Sequence, residues 1–365
     1  MPDVDVAVVG GGVVGLASAW ALARAGASVC VLERDSRTGH GTSSRNSGVI
    51  HAGIYYPPGS LKATLCVEGR DRLYEFCAAH DVRHERCGKL IVATDEHEIA
   101  ALEALRLTAA TNGVVTEMVD PGFIRAREPH VGGIAALWSP DSGIVDADGL
   151  VRALTKLCRD QDVAILVSSP LIDAAAATDG IELATPHERI LAATVVNAAG
   201  LYADEVSARL DASRFKVYPC RGEYAELVPS KRGWVNALVY PLPHASGAGL
   251  GVHLAKTVWG NVTLGPTIRY QDDKEDYEND RLSVEDFVEP ARRLLPETRV
   301  DDLRLGSSGI RAKLHGPDSR FADFLIQRDQ TNPRVIQAAG IDSPGLTSSL
   351  AIGERVARLY KGTGP

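Results

Sequence analysis

A chain of 365 residues, 45% hydrophobic and 24% charged, has the composition of a folded globular protein and room for two domains or one interleaved α/β unit. Its formal net charge of −8 argues against nucleic acid or anionic lipid as an electrostatically held partner, while leaving room for a local basic pocket. No run approaches the ~18 consecutive apolar residues of a membrane span, and the six cysteines show neither CxxC spacing nor a zinc-like cluster with histidine.

The first apolar run follows Asp3 and Asp5 and turns at once into glycines, unlike a signal peptide, so a cytoplasmic location is expected. Residues 4–9 (Val-Asp-Val-Ala-Val-Val) predict a buried parallel strand. Gly10-Gly11-Gly12-Val13-Val14-Gly15 follows, then an alanine- and leucine-rich helix closed by Gly26, then a second strand from Ser28 to Glu33. Residues 36–60 carry no period, and a loop of that length in a compact domain is usually functional. Helices are expected over 60–80, 95–112 and 148–159, and strands over 89–93, 164–167, 172–174, 181–183 and 193–200. The stretch 217–270 alternates like an antiparallel sheet, and 272–286 is acidic and reads as solvated surface. A strand over 335–340 and a helix over 346–360 complete the chain.

A dinucleotide diphosphate needs backbone N–H donors and the positive end of a helix, unobstructed by side chains. Gly10 permits the tight turn, Gly12 the close approach and Gly15 the packing of helix on strand. Glu33 suits the ribose hydroxyls of the adenosine. This motif leaves FAD and NAD open. Its alternative is a tight turn with no ligand.

The next segment, Thr42-Ser43-Ser44-Arg45-Asn46-Ser47-Gly48-Val49-Ile50-His51-Ala52-Gly53-Ile54-Tyr55-Tyr56, resembles the second flavin-contacting loop of the D-amino-acid oxidase and glycerol-3-phosphate dehydrogenase superfamily. The likeness is greatest to L-2-hydroxyglutarate dehydrogenases and oxidases. It is carried also by Ser60-Leu61-Lys62-Ala63, residues 87–93, Ser142 to Asp146, Arg221-Gly222-Glu223-Tyr224, Leu250-Gly251-Val252-His253 and Leu264-Gly265-Pro266. The resemblance spans residues 4–358. It implies FAD and an α/β fold in which a Rossmann-type domain (1–85, 145–212, 305–365) interleaves with an antiparallel-sheet substrate domain (86–144, 213–304).

On that resemblance the cofactor contacts are Gly10, Gly12, Val13, Val14, Gly15, Glu33 and Arg34 at the first turn, and Thr42, Ser43, Ser44, Asn46, Ser47, Gly48 and Val49 in the second loop. Leu171, Ala198, Ala199, Gly200, Gly309, Arg311, Gly345, Leu346, Thr347 and Ser348 complete the set. The segment 340–349 keeps the Ser-Pro and Thr-Ser-Ser elements but carries Gly345-Leu346 between them, which puts the family's substrate preference in doubt here.

Oxidising a 2-hydroxy acid requires a carboxylate anchor, a base for the hydroxyl proton and a hydride acceptor. His51 and His253 are the candidate bases, since imidazole titrates near working pH. His51 has alternatives in a structural hydrogen bond or a covalent flavin link, and His253 in a satisfied sheet histidine. Arg311 is the expected anchor, with a bidentate fork suited to a carboxylate. Tyr224 and Arg221 are expected to line the pocket, Tyr55 to cap it or serve the core, and Lys62 and Lys89 are weaker candidates. His187, His244 and His315 read as surface loop residues.

The expected activity is oxidation of L-2-hydroxyglutarate or a similar hydroxy acid, with oxygen or a quinone as acceptor, peripheral membrane contact at most, and no metal. The alternatives are an amino acid (D- or secondary) or glycerol 3-phosphate as donor, a flavin-binding scaffold without turnover, and an NAD-only dehydrogenase.

Overall fold

The computed structural model describes residues 1–242, 252–319 and 321–363. His244 and the Leu250-Gly251 half of one family motif lie outside the described residues.

The apolar strand Val4–Val9 sits inside an eight-stranded sheet, with Val29–Leu32 parallel on one side and Arg189–Asn197 parallel on the other. Ala164–Leu166 extends the sheet beyond Val29–Leu32, and Val335–Ala339 pairs in parallel with the end of Arg189–Asn197. Asp173–Ala177, Gly180–Ala184 and Leu325–Arg328 add antiparallel edges. Helices Val13–Arg24 and Gly345–Lys361 cover one face, packing Leu16, Leu22, Ile352 and Val356 over Val6, Val8 and Val31. This two-sided burial explains why the parallel strands are continuous apolar runs.

The topology decides where a ligand goes. Gly10, Glu33, Ala198 and Gly340 each directly follow a parallel strand, so all four meet at the carboxyl edge of the sheet. Connections leave Val4–Val9 in opposite directions there, which opens a crevice. Gly10 is required at the turn: its φ is +110°, and a Cβ would lie 2.4 Å from the Ala198 carbonyl oxygen.

A nine-stranded sheet packs beside it, built from Lys89–Ala93, Glu117–Val119, Ala135–Ser139, Tyr218–Leu227, Leu238–Pro241, His253–Lys256, Val262–Gly265, Arg269–Tyr270 and Leu303–Lys313. Its pairs are antiparallel as expected, except that Lys89–Ala93 and Leu238–Pro241 run parallel. Those two strands come from distant chain segments, so no tight turn forces them to oppose. Leu303–Lys313 pairs with Tyr218–Leu227, setting Arg311 opposite Cys220.

Two expectations change. Within 36–60, residues Thr42–Ser44 form a short 3-10 turn and Val49–Ile50 a strand paired with Gly143–Val145. The acidic stretch 272–286 is more than solvated surface. The carbonyls of Asp276, Asn279 and Asp280 accept hydrogen bonds from Arg221, and Tyr277 reaches the ligand crevice.

Candidate active site

The crevice is a cavity of about 810 Å³ running from Glu33 and Leu171 to His51 and Arg311, at the upper end of the range for small-molecule sites. At the Leu171 end, Glu33 Oε2 accepts the Gly11 N–H at 2.8 Å and Oε1 accepts the Asp35 N–H at 2.9 Å. Burial pushes its pKa up. Arg34 stacks 4.1 Å from the Tyr202 ring centroid and pairs with Glu275 at 2.9 Å, so it borders the cavity as a wall.

In the middle, helix Val13–Arg24 begins at Gly12 with no acidic residue in its first turn, leaving its positive end uncompensated. Ser43 Oγ accepts the Val13 N–H at 2.9 Å and keeps its own hydrogen for a ligand. Asn46 holds the loop, donating to the Ser43 carbonyl at 2.6 Å and accepting the Gly48 N–H at 2.8 Å. Gly10, Val14, Thr42, Ser47, Val49, Ala198, Ala199 and Gly200 line the same stretch. A bare glycine turn, an uncompensated helix end and a hydroxyl-lined loop fit a diphosphate, and the long cavity beyond them fits a dinucleotide with a planar ring.

At the far end, His51, Tyr55, Tyr56, Tyr224, Tyr240 and His253 share the wall with Gly309, Arg311, Gly345 and Leu346. His51 Nε2 lies 3.2 Å from Ser343 Oγ, and Tyr56 OH lies 3.4 Å from the same oxygen. The His51 N–H donates to Thr347 Oγ1 at 3.0 Å. Burial, reinforced by the charges of Lys89 and His253, holds the His51 imidazole well below its ordinary value, so it is neutral at pH 7. Burial also pushes the Tyr55, Tyr56 and Tyr224 phenols up, keeping them protonated. The His253 ring stacks on Tyr240 with centroids 3.6 Å apart.

Several sequence candidates stand elsewhere. Gly15, Ser44, Gly48, Thr347 and Ser348 are absent from the cavity wall. A Cβ on Gly15 would meet the Gly10 carbonyl at 1.9 Å, so its role is helix packing. Ser44 Oγ bonds the His40 carbonyl at 2.9 Å, and Thr347 Oγ1 donates to the Val49 carbonyl at 3.2 Å. Thr347 and Ser348 are fully buried, Thr347 clamping residues 49–51 to the last helix.

Arg221, expected at the pocket, is fully buried away from it and tied to Glu223 at 3.0 Å. Lys62 lines the cavity, whereas Lys89 lies behind Tyr240, its Nζ 4.0 Å from that ring centroid. His315, expected on the surface, lines the cavity instead.

Sequence reasoning missed Tyr56, Tyr277, Lys313, Asp342 and Ser343 as cavity residues. The two-residue period of a strand, read forward from Arg311, would have found Lys313.

Residues 5–359 match the model of the DAO family, described as FAD dependent oxidoreductase. The chain is 36% identical to the mitochondrial L-2-hydroxyglutarate dehydrogenase of Arabidopsis thaliana, over 98% of this chain and 83% of that protein. It is 31% identical to the L-2-hydroxyglutarate dehydrogenase of Escherichia coli (strain K12), over 96% and 92% respectively. Among solved structures, the dithionite-reduced L-alpha-glycerophosphate oxidase from Mycoplasma pneumoniae with FAD bound matches with a TM-score of 0.89 at 26% identity, covering 98% of this chain and 94% of that one. Glycine oxidase from Geobacillus kaustophilus shares the fold, with a TM-score of 0.84 at 23% identity over 100% of this chain and 96% of that one. The chain belongs to the FAD-dependent oxidoreductase family that contains these L-2-hydroxyglutarate dehydrogenases, and it is itself an FAD-dependent oxidoreductase.

Proposed function

We propose that this enzyme oxidises 2-hydroxy acids, with conversion of L-2-hydroxyglutarate to 2-oxoglutarate as its main reaction. The observation that carries the reading is Arg311 on the same cavity wall as a neutral His51. Among the described residues its guanidinium has only the Thr267 carbonyl at 3.3 Å and the Cys220 sulfur at 3.6 Å as hydrogen-bond partners, and no carboxylate pairs with it. A cation left without an anion in a partly buried site is a seat for an anionic substrate. The names of the relatives support the choice of hydroxy acid.

In this reading residues 1–85, 145–212 and 305–365 carry FAD, and 86–144 and 213–304 close over it with the substrate. Glu33 and Leu171 hold the adenosine, and Gly10, Gly12, Val13, Ser43 and Ala198 to Gly200 hold the diphosphate. Ser47, Val49, Gly309, Gly345 and Leu346 border the ring. Bound FAD supplies the acceptor for the electron pair that leaves the carbinol carbon with its hydrogen.

Arg311 clamps the substrate carboxylate and so fixes which face of the carbinol carbon is presented. Neutral His51 takes the hydroxyl proton at Nε2. Ser343 Oγ then turns from donor to acceptor as that nitrogen becomes protonated. Tyr224, Tyr240 and His253 form the apolar-faced floor that excludes water. Helix Gly345–Lys361 begins at this wall with Gly345 and Leu346, has no acidic residue in its first turn and no side-chain cap, and its positive end favours negative charge there.

The acceptor, oxygen or a quinone, belongs to the same proposal, as does a cytoplasmic location with peripheral membrane contact in the quinone case. No helix among the described residues is long and apolar enough to cross a membrane. Anaerobic mixing of the holoenzyme with single donors tests the reading. L-2-hydroxyglutarate should bleach the flavin; bleaching by glycerol 3-phosphate or an amino acid instead would replace it with one of those activities.

A further inference from the structure

The cavity wall carries more positive charge than one carboxylate needs. Lys62, Arg311 and Lys313 line it with a single carboxylate among them, Asp342. Lys62 Nζ is 2.6 Å from Asp342 Oδ1, both side chains being buried, so this pair closes on itself. Lys313 stands 3.9 Å from Asp342 Oδ2, too far for a hydrogen bond. Two cations, Arg311 and Lys313, therefore face the cavity without a close carboxylate partner.

They are neighbours by construction. Both lie on strand Leu303–Lys313 two residues apart, hence on one face and about 7 Å apart along the strand. Two long, adaptable side chains at that spacing suit the ends of a five-carbon diacid.

His315 keeps Lys313 turned inward. Its Nδ1 is 3.0 Å from the Gly316 carbonyl, which can only accept, so Nδ1 carries the hydrogen and Nε2 is the acceptor. That acceptor lies 3.3 Å from Lys313 Nζ. One of the three ammonium hydrogens is thereby fixed, and the others remain for a ligand. Burial holds Lys313 below its ordinary value, with Arg311 and Lys62 adding to the effect and Asp342 opposing it. An arriving anion relieves that strain.

We propose that Lys313, oriented by His315, is the subsite for the second carboxylate of the substrate, and that it selects dicarboxylic over monocarboxylic 2-hydroxy acids. This rests on the hydroxy-acid reading above, with Arg311 on the reacting end. Asp342 sets the charge balance: three cations less one anion leave a wall of +2 against a dianion. A monocarboxylate would leave the partly buried Lys313 ammonium with only His315 and the more distant Asp342 to answer it, which costs affinity.

The test compares the wild-type holoenzyme with Lys313→Met and Lys313→Arg on L-2-hydroxyglutarate and on L-2-hydroxyvalerate, which keeps the five-carbon chain and lacks the second carboxylate. Glutarate binding, followed through the flavin absorbance without turnover, provides a reading free of chemistry. Lys313→Met should lower kcat/KM for the diacid about 10- to 100-fold more than for the monoacid, the range of one charged hydrogen bond. It should raise the glutarate Kd by a similar factor, while Lys313→Arg keeps most of the preference. Equal losses on both acids, or unchanged glutarate binding, would overturn the subsite. A wild-type enzyme that uses both acids equally would overturn it while leaving the hydroxy-acid reading intact; reduction by neither acid would overturn both.

Discussion

The Nε2 nitrogen of His51 lies 3.2 Å from the Oγ of Ser343 although 292 positions of sequence separate them. The same segments meet a second time, where Thr347 Oγ1 accepts the His51 N–H at 3.0 Å and donates to the Val49 carbonyl at 3.2 Å. The histidine is thus gripped at backbone and ring by the turn and first residues of the last helix. Its aim into the cavity depends on the C-terminal segment as much as on its own loop.

Removing the ring contact should therefore slow proton removal without loosening FAD. In Ser343→Ala, anaerobic flavin reduction by the hydroxy acid should slow about 10-fold, the lower part of the range for disturbing a positioned base. FAD content of the purified protein should not change. Stopped-flow absorbance reads both.

The pH profile has a defined sign. In the proposed reaction His51 acts in its neutral form, and burial together with Lys89 and His253 holds its pKa well below the usual 6.5. Reduction should be flat through neutral pH and fall on the acid side with an apparent pKa below 6.5 in kcat/KM. Removing the Lys89 charge as Lys89→Met should move that limb upward. An unmoved limb would show that Lys89 does not act on His51.

Lys89 also carries a stability prediction. It is fully buried, its Nζ has no hydrogen-bond partner among the described residues, and burial pulls its pKa from 10.5 down to about 7. Between these values the unfolded chain binds a proton that the folded one does not, so stability rises with pH there. Below about 7 the whole penalty is present, and above 10.5 it vanishes. Lys89→Met should therefore stabilise the fold by up to several kcal/mol at pH 7. Thermal unfolding at pH 7 and above pH 10 should show the gain shrink.

Arg311 has room only because position 222 is glycine. A Cβ there would lie 2.7 Å from one guanidinium nitrogen and equally close to Pro266 Cβ. Gly222→Ala should displace the guanidinium and raise KM about 10-fold, and Arg311→Ala should raise it about 100-fold, with FAD retained in both. Steady-state kinetics beside the flavin spectrum separates these from loss of cofactor.

The stretch of cavity proposed for the nucleotide was legible because its chemistry is local. A strand, three glycines and an acid within one βαβ unit fix Gly10, Gly12 and Glu33 by spacing alone. Of the cavity lining at the end proposed for the substrate, only residues within a motif, such as His51 and Arg311, were legible. Ser343, Asp342 and Lys313 come from separate loops and strands that meet only when the two sheets pack, and single-sequence periodicity holds no record of such contacts.

Arg221 and His315 were exchanged for the same reason. Arg221 faces the acidic stretch 272–286, whose packing was invisible, and His315 follows a strand whose end turns into the cavity. Thr347 shows a subtler limit: its position in the motif was read as a cofactor contact, whereas its hydroxyl is taken up by the segment 49–51 that lines the cavity.

The measurement that bears most directly on the whole account is the anaerobic titration of the purified, FAD-loaded protein with L-2-hydroxyglutarate. The flavin band should bleach to completion with about one equivalent, yielding 2-oxoglutarate, and Arg311→Ala should require far more substrate for the same change. A flavin that stays oxidised at saturating L-2-hydroxyglutarate, yet bleaches with glycerol 3-phosphate or an amino acid, would contradict it.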